Sequence, residues 1–251
     1  MSKDETGTAG SGGAQSWKTA YRSFYYADAP EPVAPPLDPA TTALLVIDVQ
    51  NTYRDRPDPE KLGPDERRRY DAWTPFHERF ENVLVPNIRA LLEHCRGLGI
   101  ECMFARIAAL KRDGRDRSLS QKLPGWNNIL LPHRDTPSQI VPELAPLEDE
   151  ITVTKTTDSA VTGTNLRLLL DNMGIRTVIC VGVFTDQCVS STVRSLADES
   201  FHVVVVEDCC AAGTDELHHR ELEIINNIYC TVMASAELRA LINEQSANMR
   251  G

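Results

Sequence analysis

A three-layer α/β fold, with a mainly parallel six-stranded sheet covered by helices on both faces, is predicted by three features of this 251-residue chain. Short β-branched runs recur along it. Amphipathic stretches of ten or more residues separate them, the spacing of βαβ units. The runs are also almost wholly apolar rather than alternating, as in strands buried on both faces.

The elements follow in order. Residues 43–49, Ala-Leu-Leu-Val-Ile-Asp-Val, form a first strand after Pro39. A polar segment rich in Arg, Asp and Pro (51–73) leads to a long helix over 76–97, whose apolar positions 80, 83, 84, 88, 91, 92 and 95 mark one face. Gly97-Leu-Gly99 ends it, and 100–107 is the second strand. Residues 111–148 hold five prolines and Trp126 and read as a long excursion over the sheet. Regular alternation then resumes with a strand at 151–154, a helix at 162–172 closed by Gly174, a strand at 177–183 and a helix at 186–199. A strand at 202–207, a helix at 215–227, a short strand at 229–233 and a helix from Ser235 complete the chain, with no internal repeat.

Residues 1–16 are too poor in apolar surface to offset the entropy of ordering and are expected to form a disordered tail. Residues 17–38 form an N-terminal arm and 39–251 the folded domain. The arm carries Trp17, Tyr21, Phe24, Tyr25 and Tyr26, aromatic enough to dock on a second subunit of a homo-oligomer, a dimer or tetramer, or to fold back on its own domain. A net charge of −10 disfavours a nucleic-acid surface, and Arg67-Arg68-Arg69 is a short cluster flanked by Asp65, Glu66 and Asp71. No signal peptide and no apolar run of membrane-spanning length occur, so neither secretion nor a membrane partner is expected and the setting is cytoplasmic. Seven cysteines, an odd number, fit reduced thiols; Cys209 and Cys210 are read as packing residues although adjacent thiols can be redox-active.

No G-x-G-x-x-G follows a strand, no P-loop occurs, and neither C-x-x-C nor a His pair at i, i+4 is present, so no cofactor and no zinc site is expected. Function then rests on side chains at the C-terminal strand ends, where open parallel sheets place ligands. Asp48 ends the first strand in an apolar run, where a carboxylate must be paired or used. Lys155 ends the third. Cys188 follows the fourth in Gly182-Val-Phe-Thr-Asp-Gln-Cys188, where a helix N-terminus and Lys155 would lower the thiol pKa. A parallel sheet brings all three to one edge: a nucleophile, a cation and a group able to move a proton. A Cys/His pairing with His202 or His218 is the alternative, although neither His falls in a position facing Cys188.

The chain resembles the isochorismatase-like cysteine hydrolases, similar to the ureidoacrylate, biuret and N-carbamoylsarcosine amidohydrolases. The likeness is carried by Leu-Leu-Val-Ile-Asp48-Val-Gln50, Lys155-Thr-Thr-Asp-Ser159-Ala160, and Gly182-Val-Phe-Thr185-Asp-Gln-Cys188-Val-Ser-Ser-Thr192, and it spans residues 39–242. It implies an Asp48-Lys155-Cys188 triad and a cis peptide before Phe184 that aims the Phe184 and Cys188 N–H groups at one oxyanion. It implies cleavage of a C–N bond in a small amide, ureide, carbamoyl compound or lactam. Isochorismate-type vinyl-ether hydrolysis by Asp48 alone, and a non-enzymatic redox or interaction protein, are the competing functions. Nicotinamidase-like relatives hold a metal through Asp and His in the loop after the second strand; this chain has Lys111-Arg-Asp-Gly there, so no catalytic metal is expected. Val161 stands where the family carries an aromatic. Tyr53 and Trp126 are expected pocket walls, and Arg106 and Lys111 candidates for a substrate carboxylate.

Overall fold

The computed structural model describes residues 16–126 and 129–250; the expected disordered tail, apart from Ser16, lies outside them. Six strands form one all-parallel sheet: β1 (Thr42–Ile47), β2 (Glu101–Ile107), β3 (Ile151–Lys155), β4 (Thr177–Val183), β5 (His202–Ala211) and β6 (Thr231–Met233). Their order is β3-β2-β1-β4-β5-β6, so the chain reverses its direction of growth at β1, flanked by β2 and β4. The crevice at such a switch point is where a sheet of this kind holds a ligand.

Alternate strand residues feed two separate cores, as the two-residue period of a strand requires. On one face Leu44, Val46, Ile179 and Val181 meet Ile88, Leu91 and Leu92 of one helix and Leu238 and Ile242 of another. On the other, Leu45, Cys180 and Val205 meet Leu166, Leu170, Val193, Leu196 and Leu222. The helices are α1 (Asn51–Arg54), α2 (Pro64–Ala72), α3 (Thr74–Arg79), α4 (Val85–Leu98), α5 (Leu119–Lys122), α6 (Leu166–Asn172), α7 (Ser190–Asp198), α8 (Asp215–Ile225) and α9 (Ser235–Arg250).

Several boundaries differ from expectation for identifiable reasons. The polar stretch 51–73 contains α1 and α2; α2 is started by Pro64 and by Glu66, whose Oε2 accepts from the Gly63 N–H at 2.9 Å. The long helix read as continuous is broken by a π turn, Phe80–Leu84, between α3 and α4. The helix expected from Thr162 begins only at Leu166, because Thr164 Oγ1 bonds back to the Ala160 carbonyl at 2.6 Å and holds a turn there. Strand β5 runs on to Ala211: the register shifts beside Cys180 and Gly182, and pairing then resumes at Cys210 and Ala211. Cys209 and Cys210 therefore lie in the sheet, buried on opposite faces, with burial pushing both thiols up, Cys210 to about 12.

The arm folds back on its own domain. Trp17 donates its N–H to Glu237 Oε1 at 2.8 Å, and Asn226 Nδ2 donates to the Ala20 and Tyr21 carbonyls at 3.1 Å. Phe24 and Tyr25 stay 89% and 85% exposed. Among the described residues no helix is long and apolar enough to cross a membrane.

Gly182 shows how closely the central strands approach. Its φ is +126°, and a Cβ there would stand 1.9 Å from the Ile47 carbonyl oxygen. Gly182→Ala is therefore expected to destabilise the fold by more than ~1 kcal/mol, since alanine adopts such a φ only under strain and here also collides with backbone. Urea unfolding measures this; an unchanged midpoint would contradict the close approach.

Candidate active site

Asp48 follows the last residue of β1 with φ +54°, a conformation uncommon for a side-chain-bearing residue, and its N–H is held by the Ala105 carbonyl at 2.8 Å. Two residues on, Gln50 secures the same corner. Its Nε2 donates to the Ile107 and Ser138 carbonyls at 3.0 and 2.8 Å, and its Oε1 accepts from the Ile107 N–H at 2.9 Å. The Asp-Val-Gln motif thus bends the chain at Asp48 and locks the bend to the end of β2.

Lys155 is the last residue of β3 and lies in register with Ile107 of β2. The loop behind it is pinned to the helix that follows Cys188. Ala160 N–H donates to Thr192 Oγ1 at 3.0 Å, Thr192 Oγ1 donates to the Cys188 carbonyl at 2.7 Å, and the Ser159 and Ser195 hydroxyls bond at 2.9 Å. Cys188 itself stands in a π turn, Thr185–Val189, that precedes α7, and the Val183–Phe184 peptide just before the turn is cis.

These three strand ends converge. Lys155 Nζ lies 2.6 Å from Asp48 Oδ2, and it donates to Cys188 Sγ at 3.2 Å and to the Thr157 carbonyl at 3.2 Å, which uses all three ammonium protons. Asp48 and Lys155 are fully buried, and Cys188 is 5% exposed at the floor of a small cavity of about 60 Å³. Burial raises the Asp48 pKa above its ordinary value against the pull of Lys155. For Lys155, burial opposes the charge but the neighbouring Asp48 and Cys188 outweigh it, so the pKa is raised and the lysine stays an ammonium.

The thiol departs from expectation. Burial first, and then the Asp48 charge, push Cys188 well above the usual thiol range, overriding Lys155. The environment thus favours the neutral Cys188 thiol over the thiolate.

The isochorismatase domain profile matches residues 42–237, most of the chain and all three strand ends. The chain belongs to the isochorismatase family. Over 213 residues it is 27% identical to the ureidoacrylate amidohydrolase RutB of Acinetobacter baylyi, covering 79% of this chain and 82% of that one. The crystal structure of a cysteine hydrolase from Pseudomonas syringae pv. phaseolicola superposes with a TM-score of 0.69 at 22% identity, over 85% of this chain and 97% of the other. N-carbamoylsarcosine amidase from Thermoplasma acidophilum gives 0.59 at 22% identity, over 78% and 96%. At these identities the two structures establish the fold alone.

Within this isochorismatase-family chain the cavity wall agrees with the sequence reading only in part. Tyr53 lines it and packs edge-on against Phe184 with ring centroids 5.1 Å apart; Trp73 and Phe76 hold the other sides of the Phe184 ring. Trp126 is 84% exposed and does not line the cavity, which corrects its assignment as a wall. Arg106 is turned away to Gln139 Oε1 at 2.6 Å, held there by the irregular excursion itself. Lys111 lies exposed on the surface, its backbone N–H tied to Asp116. Neither cation reaches the cavity. Val161 packs against the core beside α6 rather than forming a wall.

The polar lining is instead Arg117, Gln121, Asp158 and Gln187. Asp158 and Gln187 sit inside the motifs quoted above, and the spacing from Lys155 and Cys188 was a usable signal. Arg117 and Gln121 come from the irregular excursion, where no periodicity shows which side chain faces inward. Asp158 Oδ1 accepts from Gln121 Nε2 at 2.7 Å and lies 3.9 Å from Cys188 Sγ. His202 begins β5 at the opposite end of the sheet, and His218 is bonded to Arg79 and Thr185 rather than to Cys188. Among the described residues no group of three or more His, Cys, Asp or Glu side chains is gathered to hold a metal ion.

Proposed function

We propose that this chain is a cysteine hydrolase that cleaves a C–N bond in a small amide, ureide or carbamoyl compound through a thioester on Cys188. The observation that carries this reading is the buried Asp48-Lys155-Cys188 cluster, with an ammonium 2.6 Å from the carboxylate and 3.2 Å from the sulfur, opening on a cavity. As Cys188 sulfur bonds to the substrate carbonyl carbon, its proton passes to Asp48 and the carbonyl π electrons move to oxygen. The Phe184 and Cys188 N–H groups receive that oxygen. The oxyanion then re-forms the carbonyl, the C–N bond breaks, and Asp48 returns the proton to the departing nitrogen. Water next adds to the thioester, losing a proton to Asp48; the C–S bond breaks and Cys188 regains its proton. Lys155 keeps its charge throughout, balancing Asp48 in the resting state and the developing negative charge on sulfur.

The cavity also supports a substrate class. Arg117 takes the place that the sequence reading gave to Arg106 and Lys111: the cation for a substrate carboxylate, as in a ureido or carbamoyl acid. Asp158 beside the sulfur accepts from substrate N–H groups. Arg117→Met is accordingly expected to raise KM for acidic ureides by about tenfold, the loss of one charge-assisted contact, and to leave KM for uncharged ureides unchanged. Equal effects on both would remove this assignment.

The proposal is tested by an ammonia-release screen over ureides, carbamoyl acids and primary amides, run beside Cys188→Ser. Release of ammonia that depends on Cys188 supports it; a silent panel, or release that survives the substitution, counts against it.

A further inference from the structure

A buried histidine behind the nucleophile turn has no part in the chemistry above, yet its bonds reach the turn. His218 of α8 is fully buried, as is Thr185. His218 Nδ1 lies 2.8 Å from Thr185 Oγ1, and Nε2 lies 3.0 Å from Arg79 Nη2. Arg79 is anchored in turn, its Nε and Nη2 donating to the Cys210 and Glu207 carbonyls of β5 at 2.9 and 3.0 Å.

Arginine has only donors, so the bond to Nε2 requires that nitrogen to be the acceptor. The ring proton must then sit on Nδ1, which donates to the Thr185 hydroxyl oxygen; a doubly protonated ring would set two N–H groups against each other. The network thus assigns His218 as the neutral Nδ1–H tautomer. Burial, followed by the charge of Arg79, lowers its pKa to about 3, so the ring keeps that form at neutral pH.

Thr185 is the residue that joins Phe184 to the Cys188 turn. We propose that His218 is a positioning residue for the oxyanion site: through Thr185 it fixes the start of the turn that follows Phe184 and carries Cys188, the two residues whose N–H groups would form that site. This rests on the proposed function, and it extends the working unit to α8 and to Arg79, neither of which lines the cavity.

The test does not need the natural substrate. Propanal adds to Cys188 as a hemithioacetal: the S–C bond forms, the carbonyl π bond opens, and the thiol proton passes to the new oxygen, which occupies the oxyanion site. Its affinity is read as protection of Cys188 from iodoacetamide, followed by peptide mass spectrometry. His218→Leu and Thr185→Val are expected to weaken protection about 10- to 100-fold, the cost of misplacing a site by a fraction of an ångström to an ångström, while alkylation without propanal keeps its rate. His218→Asn, whose amide N–H can replace Nδ1–H, and Thr185→Ser, which keeps the hydroxyl, should restore protection. A merely structural role would lower the melting temperature in all variants and leave protection intact in those that fold, and that result overturns the proposal. Should His218→Leu fail to fold, Thr185→Val with wild-type protection overturns it equally. If propanal gives the unmodified protein no protection, the oxyanion pair itself is wrong and the proposed function falls with it, a result distinct from the failure of His218 alone.

Discussion

Cys188→Ser is expected to lower kcat/KM for amide hydrolysis on the order of 10⁶-fold, the scale seen when a covalent nucleophile is removed. The loss is large because oxygen is a poor substitute for sulfur at this position. Cys188 is already held as a neutral thiol by burial and by Asp48. A hydroxyl starts with a far higher pKa and lower nucleophilicity, so the same carboxylate cannot activate it at a comparable rate. The serine keeps nearly the same volume beneath Tyr53 and Phe184, so the fold should be retained and the loss should appear in turnover, with a circular dichroism spectrum like that of the parent. One equivalent of iodoacetamide on Cys188 should silence the parent protein. Hydrolysis of a vinyl ether by the serine variant at an undiminished rate would instead assign the chemistry to Asp48 alone.

Asp48→Asn is expected to separate two properties that a structural role would move together. Turnover should fall by about 10² to 10⁴, the usual contribution of a positioned general acid–base. The thiol should change in the opposite sense. Asp48 adds to burial in raising the Cys188 pKa and Lys155 lowers it; with the carboxylate gone only burial opposes the ammonium 3.2 Å from sulfur, so the thiolate becomes easier to form than in the parent. Alkylation at neutral pH should therefore quicken in a variant that hydrolyses poorly, and thiolate absorbance should appear at lower pH than in the parent. Slower alkylation would mean that Lys155 had lost its proton with its partner, and would confine Asp48 to holding the lysine charge.

The parent's pH profile follows from the same groups. Protonated Asp48 cannot take the thiol proton, so the rate should climb with pH through a limb lying above the ordinary aspartate value, since burial raises this carboxyl. Lys155 is raised too, so its deprotonation should not end activity within the ordinary lysine range. Asp48→Asn should abolish the acid limb.

Much of the fold was legible before any coordinates. Strands buried on both faces read as unbroken apolar runs, and amphipathic stretches of ten or more residues set the crossovers, so six parallel strands followed from local pattern. The π turns at Phe80–Leu84 and Thr185–Val189 and the longer β5 were not legible. Each depends on packing or on pairing with a distant segment, such as Cys210 and Ala211 meeting Gly182 and Val183.

By itself the sequence determined which residues stand at strand ends, because hydrophobic periodicity and turn residues are local properties, and parallel strands must deliver those ends to one edge. Asp48, Lys155 and Cys188 were found that way. Only the tertiary structure decided the charge state of the sulfur, because burial and the opposing pulls of Asp48 and Lys155 depend on contacts of 2.6 and 3.2 Å between residues far apart along the chain. It also decided that Arg117, rather than Arg106, Lys111 or Trp126, lines the cavity, since the path of an irregular loop is set by what it packs against and no periodicity records that.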